Sequence, residues 1–560
     1  MARALREIAQ AQIVGDVEIS LEEALARAQL GAISRRELLK ISGAFGAAIA
    51  LAACTSSRGA TSTSPARPSS SARPNEHQPR VAVIGAGLAG VTAAYRLSQV
   101  GIPVQLYEAR DRIGGRCWTA RGFADGQTAE HGGEFIDTRH IHIRALAEEL
   151  HLPLDDLWKG WLPGFTWLTF VKGNLGAFSD WRGEQQPIID ALRVEAERLG
   201  VLTKGKKPTD APVSWGTATD EGRAFDEMSM AEWLDENVPG ATGSPLGVYL
   251  DEVMGTWYGL SMASLSATGW LWFYLMPQAG ADERWHVRGG NDQIPLLAAD
   301  KLPAGTVHLE TPLQAVRKLS DGSYELRFGG MASPVSADYV IMTAPWTTLR
   351  NVDLADAGFD AYRMTAIEEL GMGTDVKLIV QYDRRPNSWK TPAGVWSGGM
   401  EQADAGFETW ESSVDQKGRS GLITVFAGGQ GSAQFAPPTN IYHGVPPEEL
   451  VATTIGHIDD AVSGTAKHYN GRAWLDYWTG DPWTAGSYAA FTPGQSTKYW
   501  RYTGLPDGRM HFAGEHTSIF SQGFLNGGVE SGQRAAIEVM EAVGVEVPES
   551  IARLPYSRFG

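Results

Sequence analysis

The stretch Val81-Ala-Val-Ile-Gly85-Ala-Gly87-Leu-Ala-Gly90 decides the fold. Four apolar residues suit a buried strand, and the run then breaks into three glycines ahead of a helical pattern from Val91 to Leu97. Gly85 permits a tight turn, Gly87 allows close backbone approach to a pyrophosphate, and Gly90 lets the following helix pack closely on the strand. The first amides of that helix then face the phosphates. Glycines at this spacing are weak as a lone motif, so the surrounding order of elements carries the reading.

Working outward, a second apolar strand holding Val104 and Leu106 ends at Glu108, 23 residues after Gly85. A carboxylate there can accept hydrogen bonds from an adenosine ribose. Strand, glycines, helix, strand and terminal acid follow in the order of a βαβ unit, which predicts a Rossmann-like dinucleotide-binding domain. These residues alone leave NAD and FAD both open.

More distant segments narrow the choice. Arg110-Asp-Arg-Ile-Gly-Gly115-Arg116 follows Glu108, and Ala129-Glu-His-Gly-Gly133-Glu134-Phe135-Ile-Asp137 follows that. Near the other end lie Phe512-Ala-Gly514-Glu515-His-Thr517, Gly523-Phe524-Leu525-Asn-Gly-Gly528 and Glu530-Ser-Gly-Gln-Arg-Ala-Ala536. Together they resemble the flavin-dependent amine oxidase family, which includes monoamine and polyamine oxidases and L-amino-acid oxidases. The resemblance covers nearly all of residues 80–545 and is weakest in the stretch that would shape substrate choice. It implies an α/β fold in which a Rossmann-like FAD-binding domain (80–153, 285–345, 483–545) interleaves with an α+β substrate domain (154–284, 346–482), followed by a tail at 546–560. It places Gly85, Gly87, Gly90, Glu108, Arg110, Gly115, Arg116, Gly133, Glu134, Phe135, Leu313, Gly514, Glu515, Phe524 and Leu525 against FAD.

The same resemblance names three candidate catalytic residues. Tyr488 and Phe524 take the paired aromatic positions facing the flavin, and Phe524 lacks the hydroxyl that many relatives carry. Aromatic walls tolerate an ammonium by cation–π attraction while excluding water. The alternative is that both are ordinary core aromatics. Lys377 matches the lysine that holds a water against flavin N5, where a cation also favours oxygen reduction. It lies in Asp375-Val-Lys-Leu-Ile-Val-Gln-Tyr382, a strand by alternation and β-branching, and shares a face with Ile379 and Gln381. A solvent-facing strand lysine is the alternative. Glu130, His131, Glu134 and His516 receive no catalytic step.

Relatives acting on amino acids commonly carry a carboxylate-clamping arginine where this chain has Phe135, so free amines are expected to be preferred, unless Arg288 or Arg350 supplies the charge. Monoamine oxidases tether FAD through a cysteine at the position of Ser487, which predicts non-covalent FAD here. The resulting expectation is an oxidase that turns a primary or secondary amine and O2 into an imine, later a carbonyl, and hydrogen peroxide. An L-amino-acid oxidase is the alternative within the superfamily, and a non-oxidase or desaturase-like flavoprotein the alternative outside it. A homodimer is expected by resemblance.

A chain of 560 residues exceeds one small core. Its formal net charge of −17 does not come from residues 1–53, where six basic and six acidic side chains cancel. That balance argues against nucleic acid and mildly favours cationic small molecules. No cluster has metal-ligand spacing, and no glycine-flanked serine suggests a hydrolase.

Arg35-Arg36 ahead of an apolar run from Ile41 to Ala53 reads as a twin-arginine export signal over 1–53, too short to span a bilayer. Leu51-Ala-Ala-Cys54 resembles a bacterial lipobox, so Cys54 is a candidate lipid anchor, with ordinary peptidase cleavage as the alternative. The Ser, Thr, Pro and Ala composition over 54–79 predicts a flexible tether. Cys117 is the only other cysteine, which excludes an intramolecular disulfide in a lipidated mature chain.

Beyond the βαβ unit, a helix is expected from Ile141 to Leu150, mostly helical structure rich in Trp and Tyr from Leu154 to Gly280, and one sheet built from Val307–Leu313, Tyr324–Phe328 and Asp338–Pro345.

Overall fold

The computed structural model describes residues 78–160, 165–201, 212–278 and 281–555; the expected export signal, Cys54 and nearly all of the expected tether lie outside them. Val81–Ile84 is buried on both faces, as its unbroken apolar run requires. It forms the middle of a five-stranded parallel sheet ordered Met510–Phe512, Tyr339–Met342, Val81–Ile84, Val104–Tyr107, Val307–His308. Val81 stands in register with both Tyr339 and Val104. The helices Leu88–Gln99 and Leu525–Ala542 join this sheet in one core, with Val83, Leu97, Leu106, Ile341, Val529 and Ala536 buried in it.

One sequence expectation changes. The single sheet foreseen for residues 307–345 divides in two. Leu313–Lys318, Tyr324–Phe328 and Val335–Ala337 form a separate three-stranded antiparallel sheet, and only Val307–His308 and Tyr339–Met342 join the parallel one. The separation follows from local chemistry. Asp321 takes the Ser323 amide and Gly322 adopts φ +83°, which turns the chain into a hairpin that alternates buried and exposed residues. A two-sided parallel strand cannot show that alternation.

The stretch 154–280 is mostly helical, as expected, and also carries strands. Phe165–Val171 and Asn174–Ala177 form a hairpin, and the first of these pairs in parallel with Gly394–Gln402. Phe-Thr-Trp-Leu-Thr-Phe-Val is rich in aromatic and β-branched residues that suit a pleated surface. Helices follow with local signals for their ends. Met230–Asn237 has a reciprocal Ser229/Glu232 capping box. Pro245–Tyr258 starts on Ser244 with proline at its first turn and stops at Gly259, φ +78°.

That hairpin ends a nine-stranded sheet ordered His443–Gly444, Tyr469–Tyr477, Val376–Tyr382, Gly421–Ala427, Phe407–Glu411, Gly394–Gln402, Phe165–Val171, Asn174–Ala177, with Lys390–Thr391 paired beside Gly394–Gln402. One face packs under the helix Glu448–Ala461, with Leu378, Val380, Ile455 and Ile458 in its core. The opposite face turns toward residues 120–129: Ile379 and Leu422 pack on Ala120 and Ala129, and Gln381 exchanges hydrogen bonds with the backbone of Ala124 and donates to the side chain of Gln127. Lys377 lies on this second face.

Candidate active site

The glycines of the first turn separate by what surrounds them. A Cβ on Gly90 would sit 1.8 Å from the Gly85 carbonyl oxygen, so packing alone demands glycine there. A Cβ on Gly87 would find no protein atom closer than Gly114 O at 3.9 Å. Nothing in the protein therefore forbids a side chain at 87, and the open space beside it fits a pyrophosphate. The helix that starts there has no side-chain cap, which leaves its first amides available to an anion. Glu108 is buried and braces the loop by accepting the Ala86 amide at 2.7 Å and the Arg110 amide at 2.9 Å. The far helix, Leu525–Ala542, also starts without a side-chain cap or an acid in its first turn, so its positive end can face the anionic edge of a flavin. These cradles fit FAD.

Residues distant in sequence lock the two ends together. Arg116 donates to Glu515 at 3.0 Å and to the Ser487 carbonyl at 2.6 Å. Glu515 also accepts the Ala489 amide at 3.1 Å and the Gly523 amide at 2.8 Å. One carboxylate thus fixes the backbones that carry Tyr488 and Phe524. The Tyr488 hydroxyl donates to the Thr256 carbonyl at 3.0 Å, while the Phe524 ring lies 4.9 Å from His140 and 5.8 Å from the Arg139 guanidinium. Both rings are only partly buried, unlike the fully enclosed core aromatics Trp270 and Phe273.

Lys377 is 4% exposed, which excludes the solvent-facing alternative. Its Nζ donates to Glu134 Oε2 at 2.8 Å and to the Glu130 carbonyl at 3.2 Å, and lies 5.1 Å from the Trp410 ring centre. An ammonium has three donors, so one remains for a water. Burial pushes the Glu134 carboxyl up, but the Lys377 ammonium outweighs it and holds the group below its ordinary value. Glu134 thus stays charged beside Lys377. Phe135 packs against Trp410 at 5.3 Å. The two arginines named as alternatives to a clamp are engaged elsewhere: Arg288 pairs with Asp155 at the surface, and Arg350 donates to the Ile367 and Leu370 carbonyls.

The remaining expected residues are placed as follows. Arg110 pairs with Asp481, which continues through His443 and Asp476 to His131 in a chain of contacts between 2.7 and 2.8 Å. A Cβ on Gly115, which takes φ +59°, would sit 3.3 Å from Gly87 Cα. Gly133 packs against the Leu525 side chain, and Gly514 takes φ +120° with its amide on Ser531. Leu313 stands opposite Phe328 and packs on the core beneath Tyr107. Glu130 is fully buried and holds Thr119, His286 and the Asn291 amide. Burial pushes His516 down to about 4, so it is neutral near pH 7.

Sequence reasoning missed Trp410 and Asp375. Trp410 is set beside Lys377 by sheet pairing alone, which no local motif signals. Asp375 accepts the Ser487 hydroxyl at 2.5 Å, and burial raises its carboxyl to about 8. Its position two residues before Lys377 was the available hint.

Known proteins match this arrangement. The family described as flavin containing amine oxidoreductase matches residues 88–540. A putative L-amino-acid oxidase, YobN, of Bacillus subtilis (strain 168) is 24% identical over 83% of this chain and 95% of its own. Flavin-containing amine oxidase B of Sus scrofa is 26% identical over 84% of this chain and 87% of its own. Among solved structures, cyclohexylamine oxidase from Brevibacterium oxydans IH-35A superposes with a TM-score of 0.69 at 22% identity, covering 84% of this chain and 100% of that one.

Proposed function

Because this chain belongs to the flavin containing amine oxidoreductase family and is a flavin-dependent amine oxidase, we propose that it oxidises free primary or secondary amines in preference to amino acids, with O2 reduced to hydrogen peroxide. The observation that carries the preference is Phe135 packed on Trp410 beside a Glu134 already committed to Lys377. Among the described residues, Arg288 and Arg350 are engaged elsewhere and Arg139, beside the Phe524 ring, pairs with Asp137. A charge-assisted pair with a substrate carboxylate left unmade costs several kcal/mol, on the order of a tenfold or greater loss of affinity for each 1.4.

FAD, held by the two glycine-rich cradles, would supply the acceptor for the hydride equivalent leaving the carbon that bears nitrogen. The protein's part is positional. Tyr488 and Phe524 wall the approach, exclude water and stabilise the cation as it enters. Lys377 holds a water through its third donor and places a positive charge where oxygen reduction builds negative charge. Glu515 keeps both aromatic walls in register through backbone amides.

Ser487 in place of a thiol supports non-covalent FAD, since its hydroxyl is engaged by Asp375 and cannot form a thioether. Arg35-Arg36 before the apolar run supports twin-arginine export, and Cys54 supports lipid anchoring at the cell envelope; fractionation of cells for active enzyme tests both. The substrate class is tested by a matched pair, phenethylamine against phenylalanine, compared by peroxide production. Phenethylamine should win. A wide margin for phenylalanine would favour the L-amino-acid oxidase reading, which the likeness to YobN supports.

A further inference from the structure

Three stretches of chain meet behind the Tyr488 wall. Gly373 is zipped to Ser487 and Tyr488 by backbone alone: the Ser487 amide donates to the Gly373 carbonyl at 2.9 Å, and the Gly373 amide to the Tyr488 carbonyl at 2.7 Å. The helix Pro245–Tyr258 closes the third side. Its Thr256 carbonyl takes the Tyr488 hydroxyl at 3.0 Å, and just past its end the Gly259 carbonyl takes the Thr374 amide at 2.8 Å. Asp375 fills the space between these stretches and is 1% exposed. Its Oδ2 accepts the Ser487 hydroxyl at 2.5 Å, and its amide donates back to Ser487 Oγ at 3.2 Å. A Cβ on Gly259 would sit 2.7 Å from Oδ2 and one on Gly428 2.3 Å from Oδ1, so glycine backbone walls the carboxyl closely. The same point beside Gly428 lies 1.9 Å from the Gly255 carbonyl oxygen, which therefore faces Oδ1 across a narrow gap. Oδ1 has no hydrogen-bond partner.

As a carboxylate, Asp375 would set a charged oxygen against a carbonyl oxygen in a dry socket. Nothing there offsets the charge. Among the described residues, none forms an ion pair with Asp375, and Lys377, two residues along, gives its ammonium to Glu134. The titratable groups that face the socket are the Tyr488 phenol and Glu408, and burial first holds both well above their ordinary values. The helix end and the strand end at Gly428 meet it with glycine backbone. As a carboxylic acid the same group satisfies its surroundings: Oδ2 accepts from Ser487, and a proton on Oδ1 turns to the Gly255 carbonyl. That carbonyl already takes the Gly259 amide at 2.9 Å and has a second lone pair for the acid. Burial raises the carboxyl to about 8, so the acid is the form present near pH 7.

We propose that Asp375 is a positioning residue for amine oxidation, a neutral acid that ties the Tyr488 wall to the helix Pro245–Tyr258 and to the strand that carries Lys377. This rests on the amine oxidase reading and adds a residue to it. Without the tie, the Tyr488 ring shifts against the carbon that loses hydride, and a misplacement of about 1 Å costs up to about a hundredfold in rate. Ionisation acts as removal does, because the anion repels the Gly255 carbonyl and opens the socket.

The test follows oxygen-free flavin reduction by phenethylamine in wild type, Asp375→Asn and Asp375→Leu, each flavin-loaded, from about pH 6.5 to about 9.5. Asparagine keeps both contacts, its oxygen accepting from Ser487 and its amide donating to Gly255; leucine keeps neither. Near pH 7, Asp375→Asn should stay within about threefold of wild type and Asp375→Leu should be about tenfold slower or more, in the limiting rate rather than in the half-saturating amine concentration. Above about 8 the wild-type rate should fall relative to that of Asp375→Asn. A readout independent of turnover is the infrared band of a protonated carboxyl, which the difference between wild type and Asp375→Asn should show near pH 7 and lose by about pH 9.5. Flavin content and melting temperature report folding, and Ser487→Ala, which strips the hydroxyl from Oδ2, replaces Asp375→Leu if that variant does not fold. A leucine variant as fast as wild type, an asparagine variant as slow as leucine, a wild-type to asparagine ratio constant with pH, or a difference spectrum without the band would each overturn the proposal. If the amine reduces wild-type flavin at none of these pH values, the amine oxidase reading itself fails and the role falls with it, whatever the band shows.

Discussion

Replacing Lys377 by methionine strands Glu134 as much as it removes a cation. Both partners are about nine-tenths buried or more, and leaving one charge of such a pair alone costs roughly 3–5 kcal/mol. Lys377→Met should therefore keep flavin but lower the melting temperature and slow reoxidation by oxygen. The double variant Lys377→Met/Glu134→Gln should recover most of the stability and remain slow. Stopped-flow reoxidation at the wild-type rate in either variant would remove Lys377 from the oxygen reaction. A second residue-scale prediction concerns Asp375. Its folded carboxyl titrates near 8 against an ordinary 3.8, so the folded state holds a proton that the unfolded chain gives up. The sign is that of a raised acid: the contribution to stability is full below about 4 and is lost progressively as pH rises to about 8. Asp375→Asn, which stays neutral, should gain stability relative to wild type across that window; a difference in melting temperature that does not change with pH would contradict the assignment. Of these residues, Lys377 was legible in the sequence because its motif has a fixed register. Its partner Glu134 lies 243 residues away, and only the fold brings the two together.

At the scale of elements, the strand–glycine–helix unit was legible because packing and ligand both constrain the same ten residues. The structure divides those constraints. Gly90 meets the Gly85 carbonyl, whereas Gly87 meets only open space. Gly90→Ala should destabilise the chain with or without flavin, and Gly87→Ala should leave the apoprotein's stability within about 1 kcal/mol of wild type while weakening flavin binding. Thermal melts of both apoproteins, with flavin titration, check this; equal destabilisation would mean that Gly87 is also a packing residue. The hairpin Phe165–Ala177 was hidden among Trp- and Tyr-rich helices, because a short apolar run does not distinguish strand from buried helix. Its partner, Gly394–Gln402, comes more than two hundred residues later. The split between the parallel and antiparallel sheets after residue 307 was missed for a related reason: strand identity was readable, while pairing depends on a turn at Asp321-Gly322 whose consequence is non-local.

On the scale of the whole molecule, the family and its α/β fold followed from two ends of the chain that Arg116 and Glu515 join. The surroundings of Lys377 were less legible, since they depend on a sheet face assembled from Val376–Tyr382, Gly421–Ala427, Phe407–Glu411 and Gly394–Gln402 by pairing alone. The cofactor should be held by this whole assembly without a covalent bond. Acid precipitation should leave the flavin in the supernatant, and a yellow pellet would contradict the reading from Ser487. The central claim, that the interleaved cradles and aromatic walls form an amine oxidase active site, is tested most directly by mixing the oxygen-free, flavin-loaded enzyme with phenethylamine and following flavin absorbance. The account predicts bleaching of the oxidised flavin by the amine, recovery on admitting oxygen with release of peroxide, and much slower bleaching by phenylalanine. A flavin that stays oxidised with the amine, at saturating concentration and with its cofactor fully bound, would contradict it.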